Sequence, residues 1–403
     1  MRTQRTITTV MAMALVLTLV CAVFAGCSKK KEDIKPGNDP VATESAVASA
    51  PPPVIYVSPY TGLPIEDTKN INRRPLSIKI ENSQAAWPQM GLNSADVVYE
   101  TRVEGGESRF NCIFQSNIPD AVGPVRSARL SDAWVVPQYN GLLYFSGMNS
   151  EVRARLKSAG VTFGPSGDLL RRVDFKRAPH NLYMDVKGAY KAAKKNDIKL
   201  KKTLKPLYYG FERTTDGAIS GDAIVPIITQ AAVSGSAVSG SNTGPVTDSG
   251  TTSNSSMASG SAVQPLNGFD GEPAKSVSLD FYSEAKWKWD AERKVWLRYT
   301  ANEKHFDGAT DEQVWTDNVV VMYAKYTQAS KLDPAGNPTY DTDLGGEGEA
   351  MLFRDGFVYK CKWKADKNTP PALFDESGAQ LPLKQGKTWF EVPPASGMDV
   401  KVE

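Results

Sequence analysis

The densest run of polar groups at a structural transition is Gly123-Pro124-Val125-Arg126-Ser127-Ala128-Arg129. A turn of this composition leading into a helix from Ser127 to about Gln138 predicts free backbone N–H groups at the helix start. Arg126 and Arg129 are three residues apart and share a face once that helix has begun. Two guanidinium forks above such N–H groups suit a phosphate or carboxylate, with the Ser127 hydroxyl beside them. The same residues also fit a plain surface salt bridge between Arg129 and Asp132. A second candidate is the loop Arg177-Ala178-Pro179-His180-Asn181-Leu182-Tyr183. His180 would act as a general base or as a donor to an anion, with Asn181 next to it; a lone histidine also serves for capping or core packing. Glu81-Asn82 closes a strand, and strand ends are where open sheets build sites. Glu81 would be the acid partner of His180, and Glu81 and Asn82 together would orient the arginines. Arg109, Asn111 and Gln115 alternate with Phe110, Cys112 and Phe114. That period of two gives one polar face, which adds Arg109 to the anion site or is a solvated outer face.

The elements that must position these groups follow from periodicity and turn chemistry. Leu76 to Ile80 alternates as a half-buried strand, and Asp96–Val103 and Phe110–Gln115 are strand candidates. Helices are expected from Ser127 to about Gln138, from Ser150 to Ser158 with Gly160 closing it, and from Asp185, as N-cap, to Asn196. Beyond a Ser/Gly-rich stretch the character changes to short β-rich runs: 277–282, 287–289, 295–299, 318–323, 349–353, 358–363 and 388–392. Arg354-Asp355-Gly356-Phe357 signals a hairpin, and Asp375-Glu376-Ser377-Gly378 closes another. The expected fold class is α+β: an N-terminal α/β-type mixed-sheet domain at 55–212, then a mostly antiparallel all-β domain at 271–403. Between them, 213–270 reads as a disordered linker or insert, and it repeats Ser-Gly-Ser-Ala-Val at 234–238 and 259–263. Whether the last strand returns to pack on the first domain stays open at this level.

The N-terminus supplies an address. Arg2 and Arg5 precede an apolar run from about Val10 to Phe24, then Ala25-Gly26-Cys27. Residues 1–26 thus read as a signal peptide, and Cys27 after two small residues resembles a bacterial lipobox whose thiol takes a diacylglycerol. Residues 27–54, with Lys29-Lys30-Lys31 and Pro51-Pro52-Pro53, read as a lipidated tether. The expected location is the extracytoplasmic face of the cell membrane, with the membrane itself a partner through the lipid. The whole chain has 47 basic and 45 acidic residues; the signal holds two arginines and no acid, so the remainder is balanced. Nucleic-acid binding is therefore not expected. Cys112 and Cys361 read as small buried hydrophobes. With only His180 and His305, no multi-histidine metal centre is available, and no cofactor motif is present. Between Arg171 and Lys205 there are twelve basic residues against three acidic ones, which fits an anionic partner or a solvated face. No nucleophile elbow or phosphate-binding glycine loop appears, so an enzyme is the less favoured class.

Several strings taken together carry a family resemblance: Arg-Arg-Pro-Leu at 73–76, Ile-Glu-Asn at 80–82, Trp-Pro-Gln-Met-Gly-Leu at 87–92, Ala-Asp-Val-Val-Tyr-Glu at 95–100, Val-Glu-Gly-Gly at 103–106, Val-Gly-Pro-Val-Arg-Ser-Ala-Arg at 122–129 and Ala-Pro-His-Asn-Leu-Tyr at 178–183. With Phe-Arg-Asp-Gly at 353–356 and Gly-Lys-Thr-Trp at 386–389, the chain resembles the YerB-like lipoproteins of Gram-positive bacteria, a two-part domain of unknown function. The resemblance implies a two-domain extracytoplasmic lipoprotein and names no substrate. It also implies a histidine before Gly147, where this chain has Phe145-Ser146; the lack of a second imidazole counts against hydrolysis. The sequence thus favours a membrane-tethered binder of an anionic wall polymer, of peptidoglycan peptides or of a protein partner. Its alternatives are a cell-wall hydrolase or transferase using His180 and Glu81, and a structural envelope assembly factor.

Overall fold

The computed structural model describes residues 54–219, 264–281, 284–333 and 336–403. The signal segment, the Cys27 lipobox, the tether and residues 220–263 of the Ser/Gly-rich stretch lie outside the described residues. Strand β1 (Leu76–Glu81), β2 (Val97–Arg102) and β3 (Ser108–Phe114) come first. Helix α1 (Asp132–Gln138), β4 (Leu142–Tyr144) and α2 (Ser150–Ser158) follow. Strands β5 (Leu170–Arg172) and β6 (Leu182–Asp185) form a small sheet with Ala121–Val122, and α3 (Lys187–Lys195) comes directly after β6. The second half supplies an antiparallel meander, β7 (Ser276–Leu279), β8 (Ala285–Asp290) and β9 (Val295–Thr300). It continues with β10 (Asn318–Met322), β11 (Gly346–Arg354), β12 (Phe357–Asp366), β13 (Thr369–Phe374) and β14 (Thr388–Val392).

One large sheet runs through both halves in the order β13, β12, β11, β10, β14, β2, β3, β1, β4, with short edge strands outside. The join is β14, which runs parallel to β2 with Thr388 opposite Val97 and Val392 opposite Thr101. The return left open by the sequence therefore takes place. The fold is α+β, with mixed pairing in the first half (β4 runs parallel to β1) and mostly antiparallel pairing in the second.

Strands covered on both faces become apolar throughout. In β10, Val319 and Val321 face a core with Trp287, Trp296, Trp389 and Phe110, between the large sheet and the β7–β9 meander. Val320 and Met322 face the opposite core, with Tyr99, Tyr139 and Phe390. Cys112 and Cys361 are free and buried, as their apolar surroundings predicted. The turn at Asp355-Gly356 has positive φ at both residues (52° and 78°), the geometry that twists with a two-residue hairpin.

The helix expected from Ser127 begins only at Asp132. The segment before it is an extended strap that fills the space beside the end of β1. Glu81 N donates to Pro124 O, Arg126 N to Lys79 O, Val125 N to Leu182 O and Ala128 N to Gly147 O. The N–H groups of Val125, Arg126 and Ala128 are thus spent on neighbouring chain. Helix α2 falls at the predicted residues, with Asn149 Oδ1 capping Val152 N at 2.8 Å. Helix α3 starts one residue later than expected, with Val186 rather than Asp185 as its N-cap, and Asp185 Oδ1 accepts from Gly188 N at 3.0 Å.

On the meander side of the sheet Arg298 is fully buried between two carboxylates. Its Nη2 is 2.7 Å from Glu100 Oε2 and its Nη1 is 2.8 Å from Glu391 Oε1. Trp287 Nε1 also donates to Glu391 at 2.8 Å, and Asn82 Nδ2 and Ser108 Oγ donate to Glu100. Burial, then the neighbouring Glu100, pushes Glu391 up to about 8. A carboxyl whose folded value lies above its unfolded one stabilises fully below the unfolded value and loses that contribution as pH rises through the folded one. The expected result is that Glu391→Gln gains on the wild type in melting temperature as pH rises from 5 to 8. A difference that is flat in pH, or falls, would refute this assignment.

Candidate functional site

Neighbouring residues of a strand point to opposite faces, so Glu81 and Asn82 part company. Glu81, Lys79 and Ser77 lie opposite Arg109, Asn111 and Ile113 of β3 and share with them the face under the strap. Asn82 turns to the other face, where it serves Glu100, Gln89 and Trp87 in the Arg298 network. It does not orient the site arginines.

The polar side of β3 is not a solvated outer face. Arg109, Asn111 and Gln115 are all buried, roofed by the strap, α1 and neighbouring loops. Below the roof Lys79 Nζ pairs with Asp132 Oδ1 at 2.9 Å, both without exposure, and Asn111 Nδ2 donates to the same oxygen at 2.9 Å. Burial lowers the Lys79 pKa, and Asp132 works against that shift. Asp132 also accepts from Arg129 N at 2.7 Å. The expected Arg129–Asp132 surface salt bridge is therefore absent. Arg129 instead forms a two-pronged pair with Glu104, Nη2 to Oε1 at 2.5 Å and Nε to Oε2 at 2.7 Å.

Glu81 is the hub of the upper layer. Its Oε1 lies 2.9 Å from His180 Nδ1, 2.9 Å from Ser83 Oγ and 3.2 Å from Arg126 Nε. Its Oε2 is buried and has no partner among the described residues. The His180 and Arg126 side chains are each about one-quarter exposed (26% and 25%), so this layer faces solvent through a histidine and a guanidinium. Lys176 Nζ donates to Ala86 O and Trp87 O, which fixes the loop carrying His180.

Arg109 lies between the two pairs and has no carboxylate within 4 Å among the described residues. Its one hydrogen bond is from Nη1 to Ser127 O at 3.3 Å, and its Nε is buried with no partner. Burial, followed by repulsion from Arg129, pushes its pKa down to about 10, with Glu104 opposing. The Ser127 hydroxyl has no hydrogen-bond partner among the described residues and stands half-buried in the strap beside the arginines. Asn181 does not face them: its amide donates to Val173 O at 2.9 Å and accepts from Arg172 at 2.6 Å, which ties the hairpin together.

Of the sequence candidates, Glu81, Arg109, Arg126, Ser127, Arg129 and His180 thus meet in one place, while Asn82 and Asn181 do not. Glu104, Lys79 and Asp132 complete the arrangement. Lys79 could have been found from its period-two spacing to Glu81, and Glu104 from its place beside two glycines in Val103–Gly106.

Residues 60–199, which hold all these groups, match the N-terminal domain of the family described as protein of unknown function (DUF3048), and residues 277–390 match its C-terminal domain. The chain belongs to this family. A DUF3048 relative, "Putative lipoprotein YerB" of Bacillus subtilis (strain 168), is 26% identical over 346 residues, covering 84% of this chain and 86% of that protein. The crystal structure of the YerB protein from Bacillus subtilis matches with a TM-score of 0.63 at 24% identity, over 86% of this chain and 99% of that one. At that identity the likeness is one of fold. No helix among the described residues is long and apolar enough to cross a membrane.

Proposed function

We propose that this DUF3048 protein is an extracytoplasmic lipoprotein, held to the membrane by a diacylglycerol on Cys27, that binds an anionic group of a cell-envelope polymer between Arg109, Arg126 and Arg129. The observation that carries the reading is the buried Arg109 guanidinium, which has no ion-pair partner among the described residues and a buried Nε with no hydrogen bond. A charge in that state is costly unless something pairs with it, and an incoming phosphate or carboxylate would do so. The orphan Glu81 Oε2 adds a demand for a hydrogen-bond donor close by. A ligand that offers an anionic oxygen and a hydroxyl together, as in a polyol phosphate of the teichoic type, meets both needs. Arg126 and His180, partly exposed, would form the entrance, and Ser127 would add a hydroxyl.

A test is a thermal-shift titration of residues 28–403 with glycerol-phosphate oligomers, peptidoglycan fragments and polyphosphate at low and high salt. The expected result is a saturable upward shift with the phosphate polymers, weakened about tenfold in affinity by Arg126→Ala. No shift with any of the three would sink the reading.

A second reading rests on the His180–Glu81 contact. A carboxylate on Nδ1 leaves Nε2 as the exposed nitrogen of a general base, beside guanidinium groups able to steady developing negative charge. In a hydrolase or transferase of this kind, His180→Ala abolishes turnover of the polymer and leaves its affinity within about threefold. In the binding protein there is no turnover to lose.

A further inference from the structure

The β5–β6 hairpin and α3 expose a surface that the arginine site does not use. We propose that this surface docks the folded unit flat on an anionic lipid bilayer. The proposal goes beyond the anion site and relies on the lipoprotein reading only for which bilayer is met.

The hairpin tip is apolar and ringed by cations. Phe175 is 64% exposed, the most exposed large hydrophobic side chain among the described residues. Its ring stands edge-on against the buried Tyr183, with centroids 5.4 Å apart, which props it outward. Ala178 and Pro179 are exposed beside it. Arg171, Arg172 and Arg177 are exposed around this tip and Lys176 is half-buried, with Asp174 the single acid between them.

Helix α3 extends the charge. Ala189 and Ala193 are fully buried, so the spacing of Lys187, Lys191 and Lys194 makes one exposed stripe, with Lys195 alongside. The first turn is held near β5: a side chain at Gly188 would meet Leu169 Cδ2 at 2.7 Å. Among the described residues, only Lys187 of these cations pairs with a carboxylate, that of Asp120. Strand β12 shows the contrasting arrangement, since its Lys360, Lys362 and Lys364 each have a glutamate within 4 Å.

Unneutralised exposed cations attract an anionic surface, and the exposed aromatic selects which kind. A soluble polyanion leaves the Phe175 ring in water, whereas a bilayer takes it into the boundary between headgroups and acyl chains. Docked in this way, the loop that carries Phe175 also carries His180. The arginine site then opens within one loop of the membrane surface.

The experiment is co-sedimentation of residues 28–403, which carry no acyl chain, with phosphatidylcholine vesicles made with and without phosphatidylglycerol. Binding is expected only to the vesicles with phosphatidylglycerol, and to fall steeply with salt. Phe175→Ser weakens it roughly tenfold, and Lys187→Glu/Lys191→Glu/Lys194→Glu by on the order of a hundredfold. Both variants change exposed side chains only, and an unchanged melting temperature checks that they fold. Arg109→Met leaves vesicle binding intact, so this proposal and the anion site succeed or fail separately. Equal binding to both vesicle types, or binding indifferent to either variant, overturns the proposal. So does polyphosphate binding that the lysine variant abolishes in a chain that ignores vesicles, because the surface then belongs to a polymer.

Discussion

Arg298→Met lowers the stability of the folded unit by about 3–5 kcal/mol, the loss expected when one member of a buried charge network is removed. Arg298 has no exposure, and its two prongs reach Glu100 and Glu391, which lie side by side in the register of β14 on β2. Its Nε also meets His305 Nδ1 at 3.3 Å, an arrangement that needs the neutral imidazole. The His305 pKa is accordingly held well below its ordinary value, by burial and then by Arg298. Methionine fills most of the volume and packs against Trp287, Trp389 and Phe110, whose rings lie 4.8 to 5.5 Å from the guanidinium. Packing is therefore largely retained, and the loss is electrostatic. Without the guanidinium, Glu391 and Glu100 face each other in the interior, with Trp287 donating to the first and Asn82 and Ser108 to the second. Adding Glu100→Gln to Arg298→Met should recover part of the loss, whereas Glu100→Gln alone costs stability. Chemical denaturation of the two single variants and the double variant reads this coupling directly. Additive losses would mean that the three groups do not act as one network.

That network joins β2, β9 and β14, and this explains why so little of it could be read in the chain. Glu100 and Glu391 lie nearly three hundred residues apart, and their adjacency follows from the parallel register of β14 on β2, which no local pattern encodes. Local signals fared better. The Asp355-Gly356 turn, the strand β1 and the apolar run of β10 each depend on a few neighbouring residues and appear where expected, but β1 is buried on both faces rather than half-buried because the strap and α1 cover its polar side. A period of two separates the faces of a strand without saying which face is covered. Arg109 and Asn111 therefore fitted a solvated face equally well until the strap was seen above them. Glu81 and Asn82 show the converse: their opposite orientation was available from adjacency alone. The early helix start failed because Pro124 to Ala128 finds better backbone partners in Lys79, Glu81, Gly147 and Leu182 than a helix would provide.

Arg109→Met is expected to do the opposite of Arg298→Met: it leaves stability unchanged or raises it by about 1 kcal/mol, while reducing affinity for the phosphate polymer by on the order of a hundredfold. Both arginines are buried, but Arg298 pairs with Glu100 and Glu391, and Arg109 has no such pair among the described residues. Glu81, opposite it on β1, is engaged by His180, Ser83 and Arg126, and Glu104 by Arg129, so Glu104 and Glu107 act on it only from beyond ion-pair distance. The fold thus bears the desolvation of a guanidinium and receives one 3.3 Å hydrogen bond in return. Groups retained at a cost to stability are the ones function accounts for, because the missing partner arrives with the ligand. Methionine removes the charge, keeps the length and leaves the Glu81 and Glu104 pairs in place. Melting temperature and polymer affinity, measured on the same preparation, separate the two roles. A variant that melts well below the wild type would make Arg109 a structural residue. One that binds the polymer as tightly as the wild type would remove Arg109 from the site, and with it the argument that the site is built for an anion.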